Sequence, residues 1–271
     1  MDYKTVEHNL ITKYRKPIWR PFMKAIRTYD LIQPHDKVAV CISGGKDSMM
    51  LAKCMEELQK HGDVPFELVY LVMDPGYTKE HLLQIERNAA ALHIPITVVT
   101  SDIFQVANKL DPTHPCYMCA RMRRGCLYQH AKDLGCNKIA LGHHFDDVIE
   151  TILLSMLYGG EFKTMMPKLH STNFAGMELI RPLYLVKEAD IQSFWKYHQY
   201  TFINCACQFT KTYQTNSKRQ EMKQLVAQFR QMSPVIEQNI FKSCEKVNLE
   251  TIISYEQNKK VTSFLDTYDE K

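Results

Sequence analysis

Apolar, β-branched runs alternate with segments of helical spacing through the middle of this chain. Lys37–Ile42 (KVAVCI) is a short continuous apolar run that ends at a glycine pair, and Ser48–His61 has helical periodicity and closes at Gly62. Glu67–Met73 (ELVYLVM) reads as a second buried strand, Lys79–Leu92 as a helix, and Ile96–Thr100 (ITVVT) as a third strand. Ala120–Leu134 reads as a helix closing at Gly135, Lys138–Leu141 (KIAL) as a fourth strand, and Asp146–Leu157 as another helix. Strands without polar alternation, separated by helices, predict a parallel sheet covered on both faces. The predicted fold class is therefore α/β, a doubly wound parallel sheet with helical N- and C-terminal flanks.

The flanks differ from the middle. The pattern predicts a basic helical region over 1–36, an α/β domain over 37–203 and a helical C-terminal region over 204–271. Pro17 and Pro21 are expected to divide the first region into two short helices. Residues 215–258 are polar with helical spacing, and the last dozen look frayed.

Composition narrows the class. Hydrophobic residues make up 45% and charged residues 24% of the 271, as in soluble globular proteins. No apolar run approaches the roughly 20 residues that span a bilayer, and the N-terminus lacks the apolar core of a signal peptide. A cytoplasmic protein with no membrane partner is expected. In that reducing compartment nine cysteines, an odd number, point to metal or redox work rather than to a disulfide framework. The net charge of +4 is too small to name a nucleic-acid partner. Its distribution says more: Lys13, Arg15, Lys16, Arg20, Lys24 and Arg27 fall in one stretch with Tyr14, Trp19 and Phe22. Positions 16, 20, 24 and 27 share a helix face, which suits tracking phosphates or is simply a solvated surface.

Chemistry concentrates after the strands. Ser43, Gly44, Gly45, Lys46, Asp47 and Ser48 follow the first strand and open its helix. Paired glycines let backbone N–H groups approach an anion, and the helix N-terminus adds partial positive charge. Ser43 and Ser48 add hydroxyl donors and Lys46 a point charge. The spacing is neither that of a Walker A loop nor that of GxGxxG. SGGKDS in this position resembles the signature of the PP-loop, or N-type, ATP pyrophosphatases. The resemblance implies cleavage of ATP between its α- and β-phosphates, with Lys46 and Asp47 catalytic and AMP passed to a substrate oxygen.

Gly142, His143, Asp146 and Asp147 follow the fourth strand, which brings them to the same sheet edge. Adjacent carboxylates suit Mg²⁺ bound with phosphate oxygens; the plainer alternative is Asp146 as a helix N-cap. Asp74, at the end of the second strand, is expected to face the nucleotide. Cys116 and Cys119 form a CxxC in a loop before a helix, and Cys205 and Cys207 lie far downstream after a strand-like Tyr200–Asn204 segment. A CxxC is compatible with a redox pair, half a zinc site or coincidence. Cys41, Cys54, Cys126, Cys136 and Cys244 read as small buried hydrophobes.

The stretch from CYMCARMRRGC through ALGHHFDD to YGG and PKL, continuing through Ile180–Leu183 to Ile203–Cys205, is similar to the tRNA 2-thiocytidine synthetase family over about residues 10–230. That resemblance implies a [4Fe-4S] cluster on Cys116, Cys119 and Cys205, with one iron open to hold sulfur. It also implies ATP and Mg²⁺, a tRNA substrate thiolated at a cytidine, at position 32 of the anticodon loop, a cysteine desulfurase or other sulfur donor, and a homodimer. The chain departs from the family in having Cys205-Ala206-Cys207 where a CxxC is usual, so the third ligand is Cys205 or Cys207, and a closed four-cysteine zinc site is an alternative. Arg121, Arg123 and Arg124, directly after the CxxC, are expected to engage tRNA with the N-terminal stripe. Other readings are a lysidine or thiouridine synthetase of the same superfamily, or a non-catalytic iron–sulfur or zinc tRNA-binding protein.

Overall fold

The computed structural model describes residues 2–103, 106, 115–203 and 218–270. The chain divides into two units, Met1–Val148 with Met165–Ser217, and Ile149–Thr164 with Lys218–Lys271.

The first unit is built on a six-stranded sheet. Its strands are β1 (Lys37–Ile42), β2 (Glu67–Asp74), β3 (Ile96–Thr100), β4 (Lys138–Ala140), β5 (Lys168–His170) and β6 (Glu178–Ile180). They are ordered β3-β2-β1-β4-β6-β5. All neighbouring pairs are parallel except the edge pair β5–β6. The four predicted strands are present with their ends nearly as predicted, whereas the predicted strand over Tyr200–Asn204 is absent at 200–203. The chain leaves β1 toward β2 and β3, then returns to the other side of β1 as β4. The crevice beyond the carboxyl ends of β1 and β4 is thus a topological switch point, where open α/β sheets bind ligands. Val38, Ala39 and Val40 of β1 pair with Lys138, Ile139 and Ala140. That register brings the loops after the two strands side by side.

The helices of this unit are α1 (Tyr3–Ile11), α2 (Arg20–Thr28), α3 (Lys46–His61), α4 (Lys79–Ala91), α5 (Pro115–Asp133), the start of α6 (Phe145–Gly159) and α7 (Glu188–Tyr197); α3 and α5 pack on the strands, and α1 and α7 pack on α3. Two expectations are corrected here. The N-terminal break falls at Thr12–Tyr14, ahead of Pro17; Arg15–Trp19 is a π-helical turn, closed by Trp19 N–H donating to Tyr14 O at 3.3 Å, that runs directly into α2. Pro17 and Pro21 each stand in a first turn, where no intrahelical N–H is required. The CxxC does not precede its helix but lies inside it, because Pro115 starts α5. On α2 the apolar face of Phe22, Ala25 and Ile26 is buried, while Lys16, Arg20, Lys24 and Arg27 are exposed. The basic stripe therefore faces solvent.

In the second unit, α8 (Lys218–Met232) and α9 (Ile236–Glu245) precede a hairpin of β7 (Ser254–Gln257) and β8 (Lys260–Ser263). The hairpin and a terminal 3₁₀ helix over Phe264–Glu270 replace the frayed end expected from sequence. Arg219 Nε donates to buried Glu150 Oε2 at 2.8 Å, and Arg230 Nε to buried Glu237 Oε2 at 2.6 Å. No helix among the described residues is long and apolar enough to cross a membrane.

Candidate active site

The loop after β1 closes on itself. Ser43 N–H donates to Ser48 Oγ at 3.1 Å, and Ser48 Oγ–H donates to Gly45 O at 2.9 Å. Gly45 caps α3, so the first amide groups of that helix point out of the sheet edge. Gly44 has φ +82°, and a Cβ there would lie 2.6 Å from Cγ1 of fully buried Ile85. Only glycine fits both constraints. We expect Gly44→Ala to lower stability by about 1–3 kcal/mol, the usual range for overpacking, and to weaken ATP binding. Thermal unfolding and an ATP titration check this; wild-type values in both would refute it.

Lys46 Nζ lies 3.0 Å from Asp47 Oδ2 and 2.8 Å from Glu188 Oε1. Burial works to lower its pKa, but the two carboxylates outweigh burial and raise it, so the ammonium stays charged. Asp47 shifts upward because burial outweighs His144 and Lys46. Its Oδ1 is buried with no hydrogen-bond partner among the described residues, and an orphaned carboxylate oxygen suits a cation.

The loop after β4 meets this one. A Cβ on Gly142 would lie 3.1 Å from Asp47 C and from Ser48 N, so Gly142 lets the two loops touch. His144 stands just before α6: Asp147 N–H donates to its Nδ1 at 3.4 Å, and His144 N–H donates to Asp147 Oδ2 at 2.9 Å. This is a reciprocal cap like a capping box, with an imidazole in place of a hydroxyl. Its Nε2 faces Asp47 Oδ1 at 3.8 Å. Asp146 also comes within 3.8 Å of this imidazole and caps a different helix, its Oδ2 accepting from Glu188 N–H at 2.7 Å. The carboxylates of Asp47, Asp146 and Asp147 therefore surround one histidine at the sheet edge. Among the described residues they do not converge as a three-ligand metal site, so the chemistry that fits is Mg²⁺ held by one or two carboxylates together with phosphate oxygens. His143 is half-buried on the same loop.

Asp74 is buried at the end of β2, with Oδ1 accepting from Gly76 N–H at 2.9 Å and Tyr77 N–H at 2.6 Å. The carboxylate shapes a turn. Cys119 packs with Met73 and Ile103 in a small apolar cluster that includes Tyr77. The first turns of α5 thus sit at the carboxyl edge of β2, beside Asp74. Cys116 and Cys119 stand at i and i+3 of α5, the spacing of one helix face, and the buried, apolar surroundings of Cys119 at the end of β2 suit an iron–sulfur group. Cys205 and Cys207 lie outside the described residues. The described chain nonetheless reaches the phosphate loop just before them: a Cβ on Gly45 would lie 3.8 Å from Ile203 O.

The family of PP-loop domains matches residues 13–226. The tRNA-cytidine(32) 2-sulfurtransferase of Alcanivorax borkumensis is 37% identical over 251 residues, covering 90% of this chain and 85% of the relative. The chain belongs to this PP-loop family of tRNA-cytidine(32) 2-sulfurtransferases. The enzyme of that name from Nitrosospira multiformis is 36% identical, covering 89% of this chain and 80% of its own. Among solved structures, the U34-tRNA thiolase NcsA from Methanococcus maripaludis, determined with its [4Fe-4S] cluster, shares the fold. Its TM-score is 0.67 at 21% identity, over 86% of this chain and 78% of that one.

Within this PP-loop site, three residues escaped the sequence reading. Glu188 holds Lys46 from 142 positions away, His144 knits the carboxylates, and Trp195 Nε1–H donates to Lys46 O at 2.9 Å. Glu188 and Trp195 lie on α7, whose segment carries no strand signal and no glycine loop. Only His144 stood inside a recognised motif.

Proposed function

We infer that the chain is an ATP-dependent tRNA sulfurtransferase. It adenylates the 2-carbonyl oxygen of a cytidine, at position 32 as in the names of its relatives, and replaces that oxygen with sulfur. One observation carries the reading: in a member of this family, the phosphate loop, the carboxylate loop and the cysteine-bearing helix meet at one sheet edge.

In this reading ATP lies across the β1–β4 crevice. The amide groups of Gly44–Ser48, with Ser43 and Ser48, cradle its phosphates, and Lys46 offsets the charge that grows on departing pyrophosphate. Asp47, whose Oδ1 is unpartnered among the described residues, would hold Mg²⁺ together with phosphate oxygens, with Asp146 and Asp147 close by, and Gly142 and His143 line the facing wall. Asp74 fixes the turn beside the nucleotide. The cytidine oxygen attacks the α-phosphorus and the bond to pyrophosphate breaks. Sulfide then attacks C2, and AMP leaves with the former carbonyl oxygen, so the exchange needs no net oxidation. A [4Fe-4S] cluster, when bound by Cys116, Cys119 and Cys205, supplies the carrier for that sulfide. A cysteine desulfurase or another donor provides the sulfur, in the cytoplasm. The target base is unpaired and can be splayed into the site.

The test is pyrophosphate release from ATP by purified, iron-loaded protein with and without tRNA, together with mass spectrometry of the tRNA nucleosides. Release that depends on tRNA, and a new 2-thiocytidine, are expected. Lysidine or a thiouridine as the product would redirect the reading within the superfamily, and no ATP turnover with any tRNA would end it.

A further inference from the structure

Helix α5 and the edge hairpin β5–β6 line a cavity of about 610 Å³ that the reaction above does not use. Three guanidinium groups line it, and no acidic residue does: Arg121 and Arg124, three positions apart on α5, and Arg181 just after β6. Arg181 Nη1–H donates to Met166 O, but its Nε is buried without a hydrogen-bond partner among the described residues. Burial pulls its pKa down to about 10, and the like charge of Arg124 adds to that fall. A half-buried guanidinium with one unpartnered N–H, beside a second guanidinium, favours an anion that joins them.

Two further features suit an RNA segment. Half-buried Phe174 stacks on the core residue Tyr128 at 5.1 Å and 9°, which leaves Phe174 as the aromatic group of the cavity wall. Gly125 also lines it, in mid-helix, where glycine is destabilising relative to alanine. A Cβ there would meet nothing within 4 Å. Packing therefore does not require this glycine; its effect is to keep the cavity open. The cavity lies next to the reaction site: β6 pairs with β4, whose following loop carries Asp147, and the charge of Asp147 acts on Arg181.

We propose that this cavity seats a backbone phosphodiester of the RNA next to the base to be modified, its phosphate against Arg121, Arg124 and Arg181 and its nucleoside against Phe174. The proposal rests on the tRNA reading and deepens it, since it fixes the register of the substrate. It also divides the arginine run after the CxxC, because Arg123 does not line the cavity.

The experiment measures binding of an anticodon stem–loop RNA at several salt concentrations, and ATP binding without RNA, for wild type, Arg124→Gln, Gly125→Leu and Arg123→Gln. Arg124→Gln should weaken RNA binding about tenfold and flatten the salt slope by about 0.7, as for one lost single-strand phosphate contact. Gly125→Leu fills the cavity without touching charge or a close neighbour, and should weaken RNA binding by at least as much. Arg123→Gln should change it far less, and ATP affinity should hold in all three. Unchanged RNA affinity and salt slope in both Arg124→Gln and Gly125→Leu, with wild type binding RNA, would overturn the proposal. So would inorganic phosphate binding that Arg124→Gln abolishes while RNA affinity stays constant, since the cavity would then serve a free anion. A wild-type protein that binds ATP but no RNA would instead sink the tRNA reading, and this one with it.

Discussion

Lys46→Ala and Asp47→Ala are each expected to cut tRNA thiolation by about 100- to 1,000-fold, the range for removing one group that meets developing charge. The iron content of the protein should not change. Lys46 is held between Asp47 and Glu188, at 3.0 and 2.8 Å. That placement aims one ammonium at the mouth of the phosphate loop and keeps it protonated. From neutral pH up to the ordinary lysine value of 10.5 the pairing contributes its full stability, and it is lost as pH rises through the higher folded value. Activity should therefore show no titration of Lys46 near neutrality. Removing Lys46 leaves two carboxylates facing each other without their cation, so nucleotide binding should suffer as well as turnover. Glu188→Gln removes one of the two carboxylates and leaves the lysine in place, and a smaller loss is expected. Pyrophosphate release, thiolated nucleoside and iron measured on the same preparations decide the matter. Normal turnover in Lys46→Ala would reduce the loop to a structural turn.

What the sequence disclosed and what it hid divide along physical lines. β1, β2 and β4 were legible as apolar runs that are largely buried, with a turn signal at the end, and the edge strand β3 as an unbroken β-branched run, ITVVT. β5 (KLH) and β6 (ELI) are as short as β4 but lack its apolar continuation into a glycine, and the antiparallel pairing at the sheet edge leaves no motif. The phosphate and carboxylate loops were legible because close backbone approach demands glycine at Gly44 and Gly142, and glycines at strand ends stand out. The partners that complete the site were not. Glu188 looks like any first-turn acid of a surface helix until the fold sets its carboxylate on Lys46. Arg181 looks like part of an Arg-Pro turn until burial leaves its Nε unpaired. The CxxC was read as a loop because two cysteines carry no helical period, although Pro115 was the start signal. Asp74 was expected at the nucleotide; its short side chain closes on the next two amide groups, as aspartate does at turns, a local role that the sequence reading did not assign.

The cysteines carry the other large expected effect. Cys116→Ser and Cys119→Ser should each strip iron from anaerobically purified protein and abolish thiolation, while ATP binding persists. Cys119 is buried against Met73 and Ile103 at the edge beside the Asp74 turn, so its sulfur is withdrawn from bulk solvent. Serine nearly matches cysteine in size, so the packing of that cluster should survive and the loss be one of ligation. Cys126 supplies the control, because it packs against the same cluster two turns along α5. If the ligands are those the family resemblance implies, Cys126→Ser keeps its iron. Downstream, Cys205→Ser is expected to behave like Cys119→Ser, and Cys207→Ser to be milder. Iron and 2-thiocytidine measured across the five variants separate the arrangements. Loss of iron in Cys126→Ser would put the third ligand on α5 itself, and loss of metal in both Cys205→Ser and Cys207→Ser would mean a closed four-cysteine site with no position left for sulfur.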